Sequence, residues 1–375
     1  MGRAHRGLRA AAGVRSRCRP LTTYAAPTAT RLERLESLAD GSGAWSDLAL
    51  RGRNVFETPD FLSSWWRWFG SGNALHAYEV RSADGELVGL LPLYLWRTRP
   101  LRVLRFLGHG AGDQLGPLAS PDGREAVAAA LRRVVGEARA ALVVAEHLPR
   151  DEGWNDRLGG RQLAREGSPI LRFGGRSWDE YLQGQSANFR QQSRRLERRL
   201  GRAHDVKFSL ASTRAELEHG LDALFALHRA RWSSTETNFG RREHFHREFA
   251  ALAFDRGWAR LWTLELDGAP AAAWYGLRFA DAECYYQMGR DPRWDRASVG
   301  LVLMIHTVRE ALVDGVTEYR FLRGGESYKY RFTGEDPGLE SIVVSRGAAG
   351  AAAVAAVRAA LGVREAARSR WRKSA

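Results

Sequence analysis

Apolar and polar residues alternate along this chain in two successive blocks, and each block predicts short strands mixed with helices. Period-two alternation predicts the strands, and apolar residues near helical spacing predict the helices. In the first block the predicted strands are 75–81, 86–96, 101–107 and 141–146, and the predicted helices are 59–68 and 122–139. The first of these helices opens after Thr58.

The second block starts near Ser168 and carries the stronger signals. The tight turns Asp267-Gly268 and Ala280-Asp281 join three strands into a predicted meander, which a helix and another strand follow. The predicted strands are 170–173, 206–210, 259–266, 271–279, 282–288, 317–322 and 339–345, and the predicted helices are 178–182, 189–202, 214–232 and 299–313. This order predicts an α/β fold with a mixed sheet, in which ligands bind where strands end and helices begin.

The chain has 375 residues with 44% apolar content, which fits two domains of a soluble globular protein. We expect a disordered basic arm at 1–30, an N-terminal domain at 31–165, a C-terminal domain at 166–347 and an Ala/Arg-rich tail at 348–375. The first 26 residues contain no acid, and arginines interrupt any apolar core. This favours a disordered arm, or an over-extended start, over a targeting signal.

The two cysteines, Cys18 and Cys284, lie far apart, which argues against a disulfide framework and fits a reducing cytoplasm. No stretch reaches the roughly 20 apolar residues that span a bilayer. His244-Phe-His246 with Glu248 lacks the spacing of a zinc site, so we expect no metal.

The chain is strongly basic, with a formal net charge of +14. Such a charge points to phosphate-bearing cofactors, anionic sugars, RNA or a membrane surface. Only three of the 57 basic residues are lysines, so Lys329 stands out from an arginine-rich background. Because an ammonium is compact and can lose its proton when desolvated, we expect Lys329 to serve chemistry or a tightly shaped anion contact.

The loop 288–300 runs from a strand end into a helix start and is the best anion site in the sequence. Ser298 can cap the helix, and Gly300 allows close approach of a ligand to backbone N–H groups. Arg290, Arg293 and Arg296 add positive charge. A capped loop without a ligand is an equally good interpretation of these residues taken alone.

Several segments resemble one branch of the GNAT-superfamily acyltransferases, the CelD/BcsL type, which is related to the FemAB peptidyltransferases. The segments that carry the resemblance are Tyr285-Tyr-Gln-Met-Gly-Arg-Asp-Pro, Ser298-Val-Gly300, Phe321-Leu-Arg-Gly-Gly-Glu-Ser-Tyr-Lys329, Phe56-Glu-Thr-Pro59, Val88-Gly-Leu-Leu-Pro-Leu93 and Leu104-Arg-Phe-Leu-Gly108. The resemblance covers roughly residues 45 to 345. It implies two tandem GNAT-like domains with mixed sheets, an acyl-CoA site in the second and no cofactor site in the first.

The resemblance also implies roles for individual residues. Backbone N–H groups at Gln287 and Gly289 would face a thioester, and Tyr328 would be an acid toward the leaving thiolate. Glu326 or His228 would be the base. The residues implied in cofactor binding are Gln287, Gly289, Arg293, Arg296, Ser298 and Gly300, and those implied in binding an acceptor are Lys329, Arg323, Arg231 and Trp232.

Two positions depart from the pattern of this branch. Arg320 and Gly325 stand where the branch usually has acidic residues before and after the Phe-Leu-Arg-Gly run. A change from acid to Arg reverses the local charge, and this favours a different substrate or a weaker activity.

Several residues and segments also fit structural roles that involve no ligand. His228 continues the apolar stripe of its helix, which favours a packing role. Glu326 fits a surface ion pair equally well. The basic helix 189–202 has the character of a solvated face, with an anionic groove or an RNA contact as the alternative. The cluster of Trp65, Trp66 and Trp68 is typical of core or inter-domain packing, with a sugar-stacking platform as the less favoured alternative.

Three functions remain open at this point. The leading one is a cytoplasmic acyltransferase that moves an acyl group, acetyl in the first instance, from acyl-CoA to an amine or hydroxyl. Its acceptor would be a small molecule or a precursor of the cell envelope or an exopolysaccharide. The second is an aminoacyl-tRNA-dependent peptidyl transferase of FemAB type, and the third is a non-catalytic protein that binds an acidic polymer.

Overall fold

The structure is a computed structural model, and it describes residues 27–35, 43–97, 102–138, 140–232, 237–345, 350–352 and 354–355. Almost all of the expected basic arm and most of the expected tail lie outside these residues. Residues 28–30 are a correction to the expected arm, because they belong to a strand that pairs with the first sheet. No helix in the described ranges combines the length and the apolar character needed to cross a bilayer.

The first sheet contains eight strands. They are β1 (Thr28–Arg31), β2 (Ala74–Arg81), β3 (Leu87–Arg97), β4 (Arg102–Phe106), β5 (Leu118–Ala119), β6 (Leu142–Pro149), β7 (Arg161–Glu166) and β14 (Leu339–Ser345). Their order is β1-β2-β3-β4-β6-β14-β7, with β5 paired to β3. The β4–β6 pair is parallel, and the other pairs are antiparallel.

The second sheet contains six strands. They are β8 (Ile170–Arg172), β9 (Val206–Leu210), β10 (Ala259–Leu266), β11 (Ala269–Phe279), β12 (Ala282–Arg290) and β13 (Glu318–Arg320). Their order is β8-β13-β12-β11-β10-β9, and only β12 and β13 are parallel. The predicted meander is confirmed as β10-β11-β12.

Nine α-helices are described from their first residue to their last. They are α1 (Ala44–Gly52), α2 (Pro59–Phe69), α3 (Arg124–Glu137), α4 (Trp154–Leu158), α5 (Trp178–Gln183), α6 (Ala187–Ala203), α7 (Arg214–Arg231), α8 (Glu243–Asp255) and α9 (Val299–Val313). Local chemistry starts several of them. Thr58 Oγ1 accepts from the N–H of Phe61 at the start of α2, and Thr213 with Glu216 forms a reciprocal capping box at the start of α7.

One of the apolar clusters in the core contains residues from both halves of the chain. Phe61 of α2 packs edge-on against Phe245 and Phe249 of α8, with ring centroids 5.7 and 5.0 Å apart. Phe56 from the first half lies 5.5 Å from the ring of Tyr286 on β12. This packing fixes the first sheet against the second, so residues from both halves can line one site.

Strand β14 lies in the first sheet, between β6 and β7, although we expected it in the C-terminal domain. The remaining domain boundaries stay a prediction. Trp65 is buried against Tyr94 at 5.2 Å, in agreement with core packing. Trp68 is exposed, and its indole N–H donates to Glu248 on α8 at 2.7 Å.

The bulge between β11 and β12 gives a testable prediction about Gly276. A Cβ atom at this position would lie 2.0 Å from the ring of Trp274 and 2.5 Å from the carbonyl oxygen of Cys284. We expect Gly276→Ala to lower the free energy of unfolding by roughly 1–3 kcal/mol, because a packed core resists added atoms. Urea denaturation monitored by circular dichroism measures the change.

Gly201 provides the control, since it lies near the end of α6 with no heavy atom within 4 Å of a built Cβ. Gly201→Ala should leave stability unchanged or raise it by roughly 0.5–1 kcal/mol, because Ala favours a helix over Gly. Equal effects of the two substitutions would contradict the packing argument.

Candidate active site

The parallel strands β12 and β13 pair only over a short length and then separate. Their ladder runs from Ala282–Glu318 to Cys284–Arg320, and no further pair joins them. Two cavities lie beside the diverging strands. The helix-side cavity has a volume of about 490 Å³ and adjoins the start of α9. The loop-side cavity has a volume of about 330 Å³ and adjoins residues 321–329.

Tyr285 and Tyr328 line both cavities and mark the junction between them. The two phenol oxygens lie 3.4 Å apart, with Tyr328 as donor. Burial raises the pKa of Tyr285 to about 12 and also raises the pKa of Tyr328. Both phenols therefore keep their protons at neutral pH, and a protonated phenol at a junction can donate to an anion formed there.

The helix-side cavity collects groups that suit an anionic ligand. The first backbone N–H groups of α9 have no acceptors within the helix, and the helix dipole is positive at this end. Gly300 belongs to this turn, and a Cβ there would lie 3.1 Å from Cδ of Arg290 and 3.3 Å from Sδ of Met288. The small residue therefore leaves room for the side chains of Arg290 and Met288, which also line the cavity.

Ser298 lines the cavity but does not cap α9 with its side chain, which is a correction to the expected capping role. It adopts the left-handed conformation with φ 58°, and its backbone N–H donates to the carbonyl oxygens of Trp294 and Asp295.

The arginines of the helix-side cavity are only partly those expected. Arg231, Arg290 and Arg331 line it, and Arg290 also pairs with Asp295. Arg293 lies outside, because its side chain is 80% exposed and holds Asp291 with contacts of 2.6 and 2.8 Å. Arg296 is exposed too, and its carbonyl oxygen accepts from Arg199 on α6. Neither Arg293 nor Arg296 lines a cavity beside the splayed strands.

Lys329 lies in the wall of the loop-side cavity, with only 2% of its surface exposed. Its Nζ donates to the carbonyl oxygens of Arg323 at 2.7 Å and Gly324 at 3.1 Å, and lies 2.9 Å from Oε2 of Glu326. An ammonium has three donors, and these contacts engage all three. Lys329 therefore holds the 323–326 loop in shape, and it has no donor left for the anion contact that we expected.

Arg323 is tied to the first domain. Its Nη1 donates to Nε2 of His147, which accepts at 2.6 Å. Nδ1 of the same imidazole lies 3.0 Å from Oε2 of Glu166, at the end of β7, and the contact lowers the pKa of Glu166. His147 itself sits in β6 with φ 58°.

The loop-side cavity is lined by three carboxylates, those of Asp113, Glu166 and Glu326. Asp113 comes from the loop after β4, and its side chain is 18% exposed and 3.9 Å from Nε of Arg323. Burial raises the pKa of Asp113, although the nearby Arg323 and His147 lower it. Glu326 is more open, with 56% of its side chain exposed.

His228 lies away from both cavities, whereas Gln287 and Gly289 lie on β12. His228 does not line either cavity; it is buried against Phe239 with ring centroids 5.3 Å apart, and burial lowers its pKa. Its imidazole therefore packs inside the protein instead of facing either cavity. Gln287 lines the loop-side cavity. A Cβ at Gly289 would lie 2.7 Å from the carbonyl oxygen of Leu224, so this glycine allows α7 to pack against β12.

Trp232 follows the end of α7, where its exposed ring lies under the guanidinium of Arg231 at 5.1 Å. Neither Arg320 nor Gly325, the two departures from the pattern, lines either cavity. Arg320 is held by Glu318 at 2.6 Å and donates to the carbonyl oxygen of Arg53 at 2.5 Å, so it joins the two halves of the chain.

Sequence reasoning missed Asp113, His147 and Glu166 as site residues. Asp113 and His147 lie in the domain at 31–165, which we expected to lack a cofactor site, and Glu166 is the last residue of β7, at the expected domain boundary. In the sequence, the only indication of a role for Asp113 is its position shortly after the Leu104–Gly108 segment, which carries part of the resemblance. Asp113 and Glu166 line one cavity with Glu326 because the two halves of the chain pack against each other. Spacing along the sequence does not predict this arrangement.

Comparison with known proteins agrees with this geometry. Residues 187–330 match the sequence model of the family described as Acetyltransferase (GNAT) domain. This region contains α6 to α9 and most of both cavities. No curated protein sequence matches the chain significantly.

Three solved structures share the fold over most of the chain. FemX has a TM-score of 0.59 at 11% identity, covering 82% of this chain and 96% of FemX. A conserved protein of unknown function from Bacteroides thetaiotaomicron has a TM-score of 0.54 at 12% identity, covering 85% and 100%. The C-terminal domain (DUF2156) of a putative lysylphosphatidylglycerol synthetase from Agrobacterium fabrum has a TM-score of 0.53 at 13% identity, covering 85% and 94%.

The chain thus has an α/β fold with two mixed sheets, and a cavity lies on each side of the splayed parallel pair in the second sheet. Identities this low show a common fold only, whereas the match over residues 187–330 is made at the level of sequence. Residues 187–330 are similar in sequence to the GNAT acetyltransferase domain, and the chain shares the fold of FemX over most of its length. The expected resemblance is supported over these residues, and the expected α/β fold class with mixed sheets is confirmed.

Proposed function

We propose that this protein transfers an acyl group, acetyl in the simplest case, from acyl-CoA directly to an amine or hydroxyl of a bound acceptor. The acceptor is a small molecule or a cell-envelope or exopolysaccharide precursor. The observation that supports this most strongly is the meeting of two cavities at Tyr285 and Tyr328. One cavity suits an anionic cofactor and the other opens toward charged groups of both domains, so the two substrates would meet at the junction.

The coenzyme would occupy the helix-side cavity. Its phosphates would lie near the start of α9 and the guanidinium groups of Arg231, Arg290 and Arg331, where the helix dipole and positive charge favour anions. The thioester would then reach the tyrosine junction. Ser298 and Gly300 would border the phosphates, as the resemblance implies.

Transfer at the junction needs no covalent intermediate on the protein. The acceptor's nucleophile forms a bond to the thioester carbon, the tetrahedral oxyanion collapses, and the C–S bond breaks with its electron pair leaving on sulfur. The phenol of Tyr328 would supply the proton that converts the thiolate into a thiol, and the proton that the nucleophile loses would restore the phenol. Binding both substrates in fixed positions supplies a large part of such a rate enhancement.

The second candidate is an aminoacyl-tRNA-dependent transferase, and one observation favours it. The α6 arginines 194, 195, 198, 199 and 202 are exposed, and α6 borders the helix-side cavity through Gln192. An exposed arginine face attracts a polyanion such as tRNA. The fold shared with FemX is compatible with this candidate.

A thermal-shift experiment with CoA, acetyl-CoA and tRNA at two salt concentrations separates the candidates. We expect CoA to raise the melting temperature by several degrees at both salt concentrations, because a ligand that binds the native state stabilises it by mass action. A steep salt-dependent response to tRNA without any response to CoA would refute the acyl-CoA proposal.

Two arginine variants test the position of the coenzyme. Arg290→Met should weaken CoA binding about tenfold, because it removes a charge-assisted contact from the cavity wall. Arg293→Met should bind CoA as the wild type does, because Arg293 is exposed and paired with Asp291. Isothermal titration measures both. A larger loss in Arg293→Met would place the coenzyme elsewhere.

A further inference from the structure

Helix α6 carries a dense band of positive charge on its exposed side. The helix turns its other side toward the core and buries four residues there, Phe189, Ser193, Leu196 and Leu200. The exposed band spans about 12 Å along the helix axis at 1.5 Å per residue. It consists of Arg194, Arg195, Arg198, Arg199 and Arg202. Because residues three and four positions apart are neighbours on a helix surface, like charges lie side by side along this band.

Acidic groups compensate little of this charge. Among the described residues, the only salt bridge of these five arginines joins Arg194 to Asp179 at 3.9 Å, and both side chains are exposed. Glu197, the one acidic residue of the helix, is engaged by Arg309 of α9 at 3.4 Å. Like charges at this spacing destabilise a helix, so the repulsion within the band would be relieved by an anionic partner.

Two further exposed arginines extend the band toward the helix-side cavity. Nη2 of Arg199 donates to the carbonyl oxygen of Arg296 at 2.7 Å, which fixes Arg296 beside α6. Nη1 of Arg331 donates to Oε1 of Gln192 at 3.4 Å, and Gln192 lines that cavity from α6. We call the five arginines of α6, together with Arg296 and Arg331, the basic face.

We propose that the basic face docks this protein on an anionic membrane surface, as a peripheral contact made through charge. This inference goes beyond the proposed function and does not depend on acyl transfer. Basic residues near a bilayer with anionic lipids are attracted to it, and a guanidinium forms charge-assisted hydrogen bonds with phosphate groups. Since the apolar side of α6 is packed against the protein, the helix docks without inserting it, and the contact is sensitive to salt.

The composition of α6 favours a lipid surface over RNA, the polyanion of the second candidate function. Sites for single-stranded RNA combine basic residues with aromatic rings on which bases stack. The one aromatic residue of α6, Phe189, is buried, and its ring packs edge-on against Phe332 at 5.1 Å. A bilayer requires no such ring, because anionic lipids diffuse within it and collect beneath a cluster of basic residues.

Co-sedimentation with lipid vesicles tests the docking. One set of vesicles contains phosphatidylcholine alone, and the other contains phosphatidylcholine and phosphatidylglycerol in equal amounts. We expect binding to the anionic vesicles at about 0.1 M salt and its loss at about 1 M salt, where the screening length falls to about 3 Å. Equal binding to both sets of vesicles, or no binding to the anionic set at the lower salt concentration, would overturn the inference.

Substitutions on α6 test the surface that binds. Arg195→Gln, Arg198→Gln and Arg202→Gln combined in one variant should weaken binding to anionic vesicles about a hundredfold, because each arginine adds its own attraction. Lysine at the same three positions should keep binding within a few fold, since the charge is retained. An equal loss in the lysine variant would overturn the inference, because attraction to a lipid surface depends on charge.

A second triple variant is the matched control for net charge. Arg133→Gln, Arg161→Gln and Arg165→Gln remove three exposed arginines from α3 and β7 of the first half. This variant should bind anionic vesicles within about twofold of the wild type. A loss as large as that of the α6 glutamine variant would assign the binding to the net charge of the whole protein and refute a docking face.

Competition with tRNA separates the two polyanions. At equal concentrations of phosphate groups, the wild type should remain on the anionic vesicles, whereas its release by tRNA would overturn the inference in favour of nucleic acid. Isothermal titration with CoA is independent of this result. A protein that binds CoA but no vesicles refutes the docking alone, and one that binds vesicles but not CoA refutes the acyl-CoA reaction alone.

Discussion

Tyr328→Phe is expected to lower kcat for acyl transfer about a hundredfold, which is the usual order of effect when a general acid is removed. The ring keeps its place, and the phenol oxygen contacts only that of Tyr285, at 3.4 Å, among the described residues. Folding and CoA binding should therefore be unchanged. The rate is measured as thiol release from acetyl-CoA with glucosamine and n-butylamine as acceptors.

Tyr330→Phe is the matched control. Tyr330 is two residues away and exposed, and its hydroxyl donates to Asp336 at 2.6 Å, outside both cavities. We expect its kcat to stay within about twofold of the wild type, since it contacts neither substrate in the proposed reaction. Equal losses in the two variants would assign the effect to the loop as a whole, and no loss in Tyr328→Phe would remove Tyr328 from the chemistry.

Lys329→Met should lower the free energy of unfolding by roughly 2–3 kcal/mol. The substitution removes a charged donor from two carbonyl oxygens in a site where Lys329 is 2% exposed, and hydrogen bonds to charged groups are the stronger ones. The 323–326 loop should lose its fixed shape as a result. Urea denaturation measures the change, and protease sensitivity near the loop reports where it occurs.

Lys207→Met is the control for the loss of a lysine. Lys207 lies on the edge strand β9 with 68% of its side chain exposed and its Nζ 3.9 Å from Glu265, so we expect a change within about 0.5 kcal/mol. Lys329→Arg should also be destabilising, by roughly 1–3 kcal/mol, because the larger planar group does not fit the same space. Wild-type stability in both Lys329 variants would contradict a structural role for the ammonium.

Much of the fold could be predicted from periodicity and turn chemistry. The meander, α7 and α9 follow the predicted ranges closely, because their apolar spacing and their caps or turns are local properties. Helix α8 was missed although Phe245, Phe249 and Ala253 recur at helical spacing. Strand β14 was found but assigned to the wrong sheet, because its partners β6 and β7 lie far earlier in the chain.

The candidate site, like the fold, could be predicted only in part from the sequence. The sequence alone determined the strand–loop–helix unit at 288–300, the segment 321–329 and the rarity of Lys329, because residue type and spacing are written in the chain. Only the tertiary structure decided that the ammonium of Lys329 is fully engaged by groups of its own loop. It also decided that the side chain of His228 is buried, and that Asp113, Glu166 and Glu326 line one cavity. The physical reason is that local conformation follows from neighbouring residues, whereas the environment of a charge depends on packing between segments distant in sequence.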